Sequence, residues 1–325
     1  MILAGDTGGT KTVLALCDLE GRIVHERIFL AADYASLEAI VAVFLAAHPA
    51  ELVGACFGVA GPVVDGTARI TNLPWVIDAK ALSAQLGVPV TLLNDLQATA
   101  LGALVLPPEA FAWLQPQATP APTGTIAVIA PGTGLGESLV IHDGAGFRAL
   151  PSEGGHADFA PGNERELELW RYLRARHGDH VSYERVLSGN GLGDLYGFCR
   201  STRGAEPAWL TAALAAGDRN AVVAETALAG GDSACAEALA MFVEILGAEG
   251  GILALRGLAT GGVVIGGGIP PKIVPALQTG ALVARFNAKG RFSAWTRALG
   301  VRVTLEPRAA LFGAAHHVLA HKDRS

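Results

Sequence analysis

The sequence predicts a mixed α/β protein built as two domains, and three observations carry that prediction. The chain has 325 residues, well beyond the roughly 150 usual for one domain, and 51% of them are hydrophobic, enough for a large core. Short apolar runs alternate with capped helical patterns from the start. A strand–glycine turn–strand–turn–strand unit opens the chain and recurs about 125 residues later, as a duplicated structural unit would.

Each element follows from its residues. Ile2 to Gly5 is an apolar strand, Asp6-Thr7-Gly8-Gly9-Thr10-Lys11 a turn cluster, and Thr12 to Leu19 a second strand closed by Glu20-Gly21. Ile23 to Leu30 is a third strand. Ser36 caps a helical pattern through Leu37, Ile40, Val41, Phe44 and Leu45. Val53 to Ala60 is a buried strand ended by Gly61-Pro62, Ala79 to Leu86 a helix ended by Gly87, and Val88 to Leu93 a strand ended by Asn94-Asp95. Pro107 to Gly124, rich in Pro, Gln and Thr, reads as a crossing loop. The repeat follows: strand Thr125 to Ala130, turn Pro131-Gly132-Thr133-Gly134-Leu135-Gly136, strand Glu137 to Ile141, turn Asp143 to Gly146, strand Phe147 to Leu150. Beyond Asn163 the chain is mostly helical to Leu258. Gly261 to Gly268 is a strand running into glycines, with Pro270 opening a helix. Val301 to Leu305 is a late strand and Pro307 to His321 a closing helix. Residues 1–106 with 306–325 are expected to form a small domain, and 107–305 a large one.

Composition narrows the function. Charges sum to 24 − 30 = −6 and the sequence pI is near 5.8, so no broad basic surface for nucleic acid is expected. Mean hydropathy is +0.39, but the longest charge-free stretch, Ala110 to Gly136, is broken by four prolines and cannot form a spanning helix. No membrane association and no secretory leader are expected, and the location expected is cytoplasmic. Cys17, Cys56, Cys199 and Cys235 are scattered, without the paired spacing of a zinc or redox site.

Three apolar strands run into glycines, and glycines let backbone N–H groups approach a phosphate closely. A Walker loop is excluded because Thr10 stands where glycine is required and a strand follows instead of a helix. No GxGxxG opens a helix after a strand, which disfavours a dinucleotide fold. What remains is phosphate held in hairpin turns from two domains, with a cleft between them.

These turns, with Gly261-Gly262 and Gly266-Gly267-Gly268, resemble the two phosphate segments and the adenosine segment of the actin-like, hexokinase and heat-shock ATPase fold. Within it the chain resembles the bacterial glucokinases nearly end to end. The blocks that carry this are Leu93-Asn94-Asp95, Ser152-Glu153-Gly154-Gly155-His156-Ala157-Asp158-Phe159-Ala160-Pro161, and Val181-Ser182-Tyr183-Glu184-Arg185-Val186-Leu187-Ser188-Gly189, with Thr71-Asn72 and Trp75. The resemblance implies ribonuclease-H-like mixed sheets flanked by helices, an active site in the interdomain cleft, closure over the sugar, and a homodimer.

It also implies roles. Asp95 would be the general base for the sugar 6-hydroxyl; read without the resemblance, it is a helix N-cap. Asn94, Glu153, His156 and Glu184 would join Asp95 in binding glucose, since amide, carboxylate and imidazole groups pair with hydroxyls. Asp6 would face Mg²⁺ through water. Thr7, Gly8, Gly9, Thr10 and Lys11, then Gly132, Thr133 and Gly134, would meet the phosphates of ATP. Gly261, Gly262, Gly266 and Gly267 would lie against its adenosine. Lys11 and Pro131 depart from the commoner residues of the group. His316, His317 and His321 read as solvated residues at a helix C-terminus rather than a metal site. Arg171, Arg174, Arg176 and His177 read as a solvated basic face.

Other readings share some of these features. A sugar-sensing repressor of the related ROK type would carry an N-terminal DNA-binding domain, for which the opening leaves no room, and a cysteine cluster for zinc. An actin-like or chaperone ATPase would have no use for the Glu153–His156 block. A kinase for another hexose would keep every feature.

Overall fold

A computed structural model describes residues 1–70, 73–119 and 121–322. Thr71 and Asn72 lie outside the described residues. In chain order the first elements are β1 (Ile2–Thr7), β2 (Lys11–Cys17), β3 (Ile23–Leu30), α1 (Leu37–Ala47), β4 (Gly54–Val59), β5 (Val63–Val64), β6 (Thr67–Arg69), β7 (Val76–Asp78), α2 (Ala79–Leu86), β8 (Val90–Asn94) and α3 (Asp95–Val105). Next come β9 (Phe111–Gln115), β10 (Ile126–Pro131), β11 (Leu135–His142), β12 (Phe147–Leu150), α4 (Glu164–His177), α5 (Gly189–Ser201), α6 (Ala208–Ala216), α7 (Arg219–Leu228) and α8 (Ser233–Gly257). The last are β13 (Val263–Ile265), α9 (Val274–Leu277), α10 (Ala281–Asn287), α11 (Ser293–Arg297), β14 (Val301–Thr304) and α12 (Ala309–His321).

The chain divides into two compact units, residues 1–110, 140–151 and 306–325, and residues 111–139 with 152–305. The sequence expectation kept 107–305 together. Residues 140–151 instead count with the first unit because β12 packs on α3, where Gln97 Nε2 donates to the carbonyl of Ala149 at 3.0 Å.

The repeat is visible in the sheets. One runs β3-β2-β1-β4-β8 and the other β12-β11-β10-β13-β14-β9, so five strands follow the same order in both. In the first sheet the opening hairpin β1–β2 is antiparallel, and in both sheets the next strands join parallel: β1 with β4 and β4 with β8, β10 with β13 and β13 with β14. The sixth strand, β9, corrects the expected crossing loop. Phe111 and Gln115 are buried at the two ends of this strand with Trp113 exposed between them, and it adds antiparallel to β14. After Gly61-Pro62 the chain also forms a small antiparallel sheet, β5-β6-β7. Pro270 opens a 3₁₀ turn, Pro270–Lys272, before α9.

Both faces of β1 and β2, in the first sheet, are buried, whereas the edge strand β3 is mostly exposed. Leu3, Leu14 and Leu16 pack with Leu37, Ile40 and Phe44 of α1, while Ile2, Ala4 and Ala15 pack with Leu101 and with Leu311 and Ala314 of α12. Period-two alternation therefore appears as continuous apolar sequence. α3 and α12 cross tightly: a Cβ on Gly102 would strike the backbone of Ala309, and one on Gly313 the backbone of Ala98. In the second unit the core is centred on α8, flanked by α5, α7 and α10. By length and composition α8 is apolar enough to cross a membrane, and most of it is buried inside the unit.

Candidate active site

The first unit gathers its polar residues at the carboxyl ends of parallel strands, where open α/β sheets present reactive groups. β1 delivers Asp6, and the turn after it is closed by Gly8 N donating to Lys11 O at 2.9 Å. β8 delivers Asn94 and leads directly into α3. The cap of α3 is Asn94, not Asp95. Asn94 Oδ1 accepts from Leu96 N at 2.9 Å, and Gln97 Oε1 accepts from Asn94 N at 3.1 Å, completing a capping box. Asn94 Nδ2 donates to Gly61 O at 3.2 Å, so the amide predicted for sugar also locks the strand–helix corner. Asp95 is the first helical residue, with Oδ1 accepting from Leu96 N at 2.8 Å.

Asp6 and Asp95 feel each other. Burial, then the charge of Asp95, pushes the Asp6 carboxyl up to about 6, against the opposing pull of Lys11. Thr7 and Thr12 are cross-strand partners and fully buried, and neither hydroxyl finds a hydrogen-bond partner among the described residues. Thr10 and Lys11 are exposed.

The second unit brings two of its glycine turns together. Gly132 N donates to Gly134 O at 2.8 Å, and Gly132 O accepts from Gly189 N at 2.9 Å, which ties the second turn to the start of α5. Gly266 N donates to Ile129 O at 2.8 Å. Gly267 has φ +87° and lies against the carbonyl of Pro131, a conformation and a gap that only glycine meets. A cavity of about 360 Å³ opens here, lined by Gly132, Thr133, Asn190, Asn220, Gly268 and Lys272. The positive end of the α5 dipole and the Lys272 ammonium favour an anion there, against Asp218, which also lines the cavity. The sequence reading missed Lys272, although it lies only four residues past Gly268 of the third glycine turn, and Asn220, which α7 supplies with no local signal. Gly261 and Gly262 stand apart from this cavity, at the opposite end of β13, where Gly261 N donates to Thr125 O at 2.8 Å.

The two specific blocks also meet within this unit. Tyr183 N donates to Ala157 O at 2.9 Å and Phe159 N to Val181 O at 2.8 Å, so the segments after His156 and before Glu184 run side by side. Glu153 and His156 flank a 3₁₀ turn, Gly154–His156; their side chains are more than half exposed, with Oε2 and Nε2 3.9 Å apart. Gly155 rests on the carbonyl of Leu135 and Gly154 on the carboxyl of Glu137, with no room for a Cβ at either. Glu184 is no loose surface charge. Its Oε2 accepts from Leu135 N at 2.9 Å, immediately behind Gly134, and joins the predicted sugar ligands to the predicted phosphate turn.

The remaining expectations resolve simply. Burial, with the neighbouring His321, pushes His316 down and His317 down to about 4, and His317 stacks on His321 at 4.3 Å, so His316 and His317 are packed rings rather than solvated cations. Among the described residues no group of three or more His, Cys, Asp or Glu side chains could hold a metal ion. In the basic stretch of α4, Arg176 and His177 are paired with Asp194 at 3.0 and 2.5 Å. All four cysteines are buried free thiols.

The glucokinase family model matches residues 3–321. A glucokinase of Nostoc sp. is 38% identical over 97% of this chain and 98% of its own. Among solved structures, a glucokinase from an Antarctic psychrotroph superposes with a TM-score of 0.85 at 30% identity, covering 100% of this chain and 99% of its own. One from Balamuthia mandrillaris in complex with glucose, 21% identical, has a TM-score of 0.77 over 98% of this chain and 93% of its own, a likeness of fold.

Proposed function

The chain belongs to the glucokinase family, and on that premise we propose how its residues divide the transfer of the γ-phosphoryl group of ATP to the 6-hydroxyl of glucose. Asp95 accepts the hydroxyl proton as the sugar oxygen attacks phosphorus, the role of a carboxylate held at a helix start within reach of an alcohol. Glu153, His156 and Glu184 exchange paired hydrogen bonds with the sugar hydroxyls, and Asn94 contributes whatever donor and acceptor capacity its cap leaves. The turns Thr7 to Lys11 and Gly132 to Gly134 meet the phosphates through N–H groups other than those of Gly8 and Gly132, which close the turns themselves, and the cavity beside Lys272 takes the nucleotide.

Asp6 fits a magnesium site. Its carboxyl is raised by burial and by the charge of Asp95, a repulsion that a cation relieves. Mg²⁺ held through water by Asp6 would supply neutralisation of phosphate charge. Free buried thiols suit a reducing cytoplasm.

One observation carries the reading: Glu184, from the sugar block, is hydrogen-bonded to Leu135 N at the phosphate turn. An ATPase without a sugar acceptor has no need of that junction. The test is ADP release from MgATP with glucose, mannose, fructose or N-acetylglucosamine, with Asp95→Asn as control. Glucose should stimulate release, and the variant should keep its fold while losing about 100-fold or more in kcat. Near-normal turnover in the variant removes Asp95 from the chemistry. Release independent of every sugar removes the sugar site.

A further inference from the structure

The second unit buries two carboxyl groups that this chemistry does not use. Glu137 lies on β11, three residues past Gly134, and is 1% exposed; Glu249 lies within α8 and is 0% exposed. Buried carboxylates are costly unless paired. Glu249 has partial compensation: Arg256 Nη1 reaches its Oε1 at 3.3 Å and the Tyr183 hydroxyl bonds to it. The Arg256 side chain is half exposed, and Lys289 spends its ammonium on the carbonyl of Ala248 at 2.8 Å. No cation contacts Glu137 among the described residues; the group it faces within hydrogen-bond reach is Glu249 itself. Glu137 Oε1 and Glu249 Oε2 are sealed from water and find no donor. Arg256 of α8, Lys289 just past α10, and Tyr183 from the turn before α5 are the charged and titratable groups that bear on the pair.

Two adjacent buried carboxyls cannot both ionise cheaply, whereas one proton between them removes a charge and supplies the missing donor. Burial and the neighbouring Glu249 push the Glu137 carboxyl well above the usual carboxylate range, which favours a proton held within the pair. The same carboxyl is a structural surface. Glu137 Oε2 lies directly beneath Gly154, at the centre of the Glu153–His156 turn.

We propose that Glu137 and Glu249 share one proton, and that this pair is the floor that positions Glu153 and His156 for the sugar. Glu137 is a positioning residue, touching the backbone of the turn rather than the substrate. The inference rests on the reading of Glu153 and His156 as sugar ligands. With the shared proton gone, two like charges separate beneath Gly154 and the turn moves.

The experiment compares wild type, Glu137→Gln and Glu137→Ala for KM of glucose, KM of ATP and kcat from about pH 6.5 to about pH 9.5. Glutamine supplies a permanent N–H donor toward Glu249 without a charge. Wild-type KM for glucose should rise about tenfold over that range, and Glu137→Gln should stay within about twofold. Glu137→Ala should raise KM for glucose about tenfold near pH 7 and move KM for ATP less than about twofold. A glucose KM that climbs equally in wild type and Glu137→Gln overturns the proposal. Should the alanine variant fail to fold, infrared spectra decide: wild type near neutral pH should show a protonated-carboxyl stretch that Glu137→Gln lacks, and identical spectra overturn the shared proton. Glu153→Gln separates the two readings. If it leaves KM for glucose unchanged, the sugar assignment fails; if it raises KM while the Glu137 variants do not, the floor fails.

Discussion

Glu184→Ala removes a carboxylate that serves two ligands through one hydrogen bond. Its Oε2 holds Leu135 N at 2.9 Å, and Leu135 is buried, so the N–H gains no ready substitute. A hydrogen bond to a charged group contributes about 1.5–3 kcal/mol, and because Glu184 is only half-buried the lower end applies. About 1.5 kcal/mol is roughly a tenfold change in an equilibrium constant. Loss of the bond frees the strand behind Gly134, so KM for ATP should rise about tenfold along with KM for glucose. Glu184→Gln keeps an acceptor oxygen for Leu135 N, and its KM for ATP should stay within about threefold of wild type while KM for glucose still rises. Steady-state kinetics with each substrate varied against saturating partner reads both. If Glu184→Ala raises KM for glucose and leaves KM for ATP unmoved, the phosphate turn does not depend on this side chain and the coupling argued from the bond is wrong.

Two other perturbations test the same chemistry. Gly155→Ala drives a methyl into the carbonyl of Leu135, a strand backbone that cannot swing aside; a lowered melting temperature, from a cost of about 1–3 kcal/mol, and a raised KM for glucose are expected, and an unchanged melt counts against the contact. Asp6→Asn tests the price of the metal ligand. The folded protein holds the Asp6 proton more tightly than the unfolded chain, so its stabilising contribution is present at low pH and lost as pH rises through about 6. Near pH 7 the ionised group therefore costs the fold about 2–3 kcal/mol. The variant should melt higher than wild type near neutral pH, with the gap closing toward pH 4, while turnover with MgATP falls; a lower melt near neutral pH would contradict that cost.

Much of this was written locally in the chain. Ser36 caps α1 through a bond to Ala39 N, and Gly87, at φ +69°, ends α2 where the sequence ends it. The glycine turns and the Glu153–His156 block are legible because their chemistry requires particular residues at fixed spacing. Features set by tertiary contacts were not. Phe111 to Gln115 looked like loop because flanking prolines dominate the segment, yet β14 offers an open edge. Asn94 and Asp95 are neighbours, and only the capping geometry tells which one holds the helix. Glu137 and Glu249 lie 112 residues apart (249 − 137) in elements whose composition gives no sign that either carboxyl is buried.

The crossing of α3 and α12 has a consequence for the order in which the molecule can be made. The apolar face of the first sheet that carries Ile2 and Ala4 is covered by α12, and α12 begins 204 residues after α3 ends (309 − 105). During synthesis that face waits while the intervening residues, which include the whole second unit, emerge with contacts largely their own. The second unit can thus be complete on the ribosome before the first has its last wall. The nascent sheet is then the species most exposed to misassociation, and the one that holding chaperones would meet.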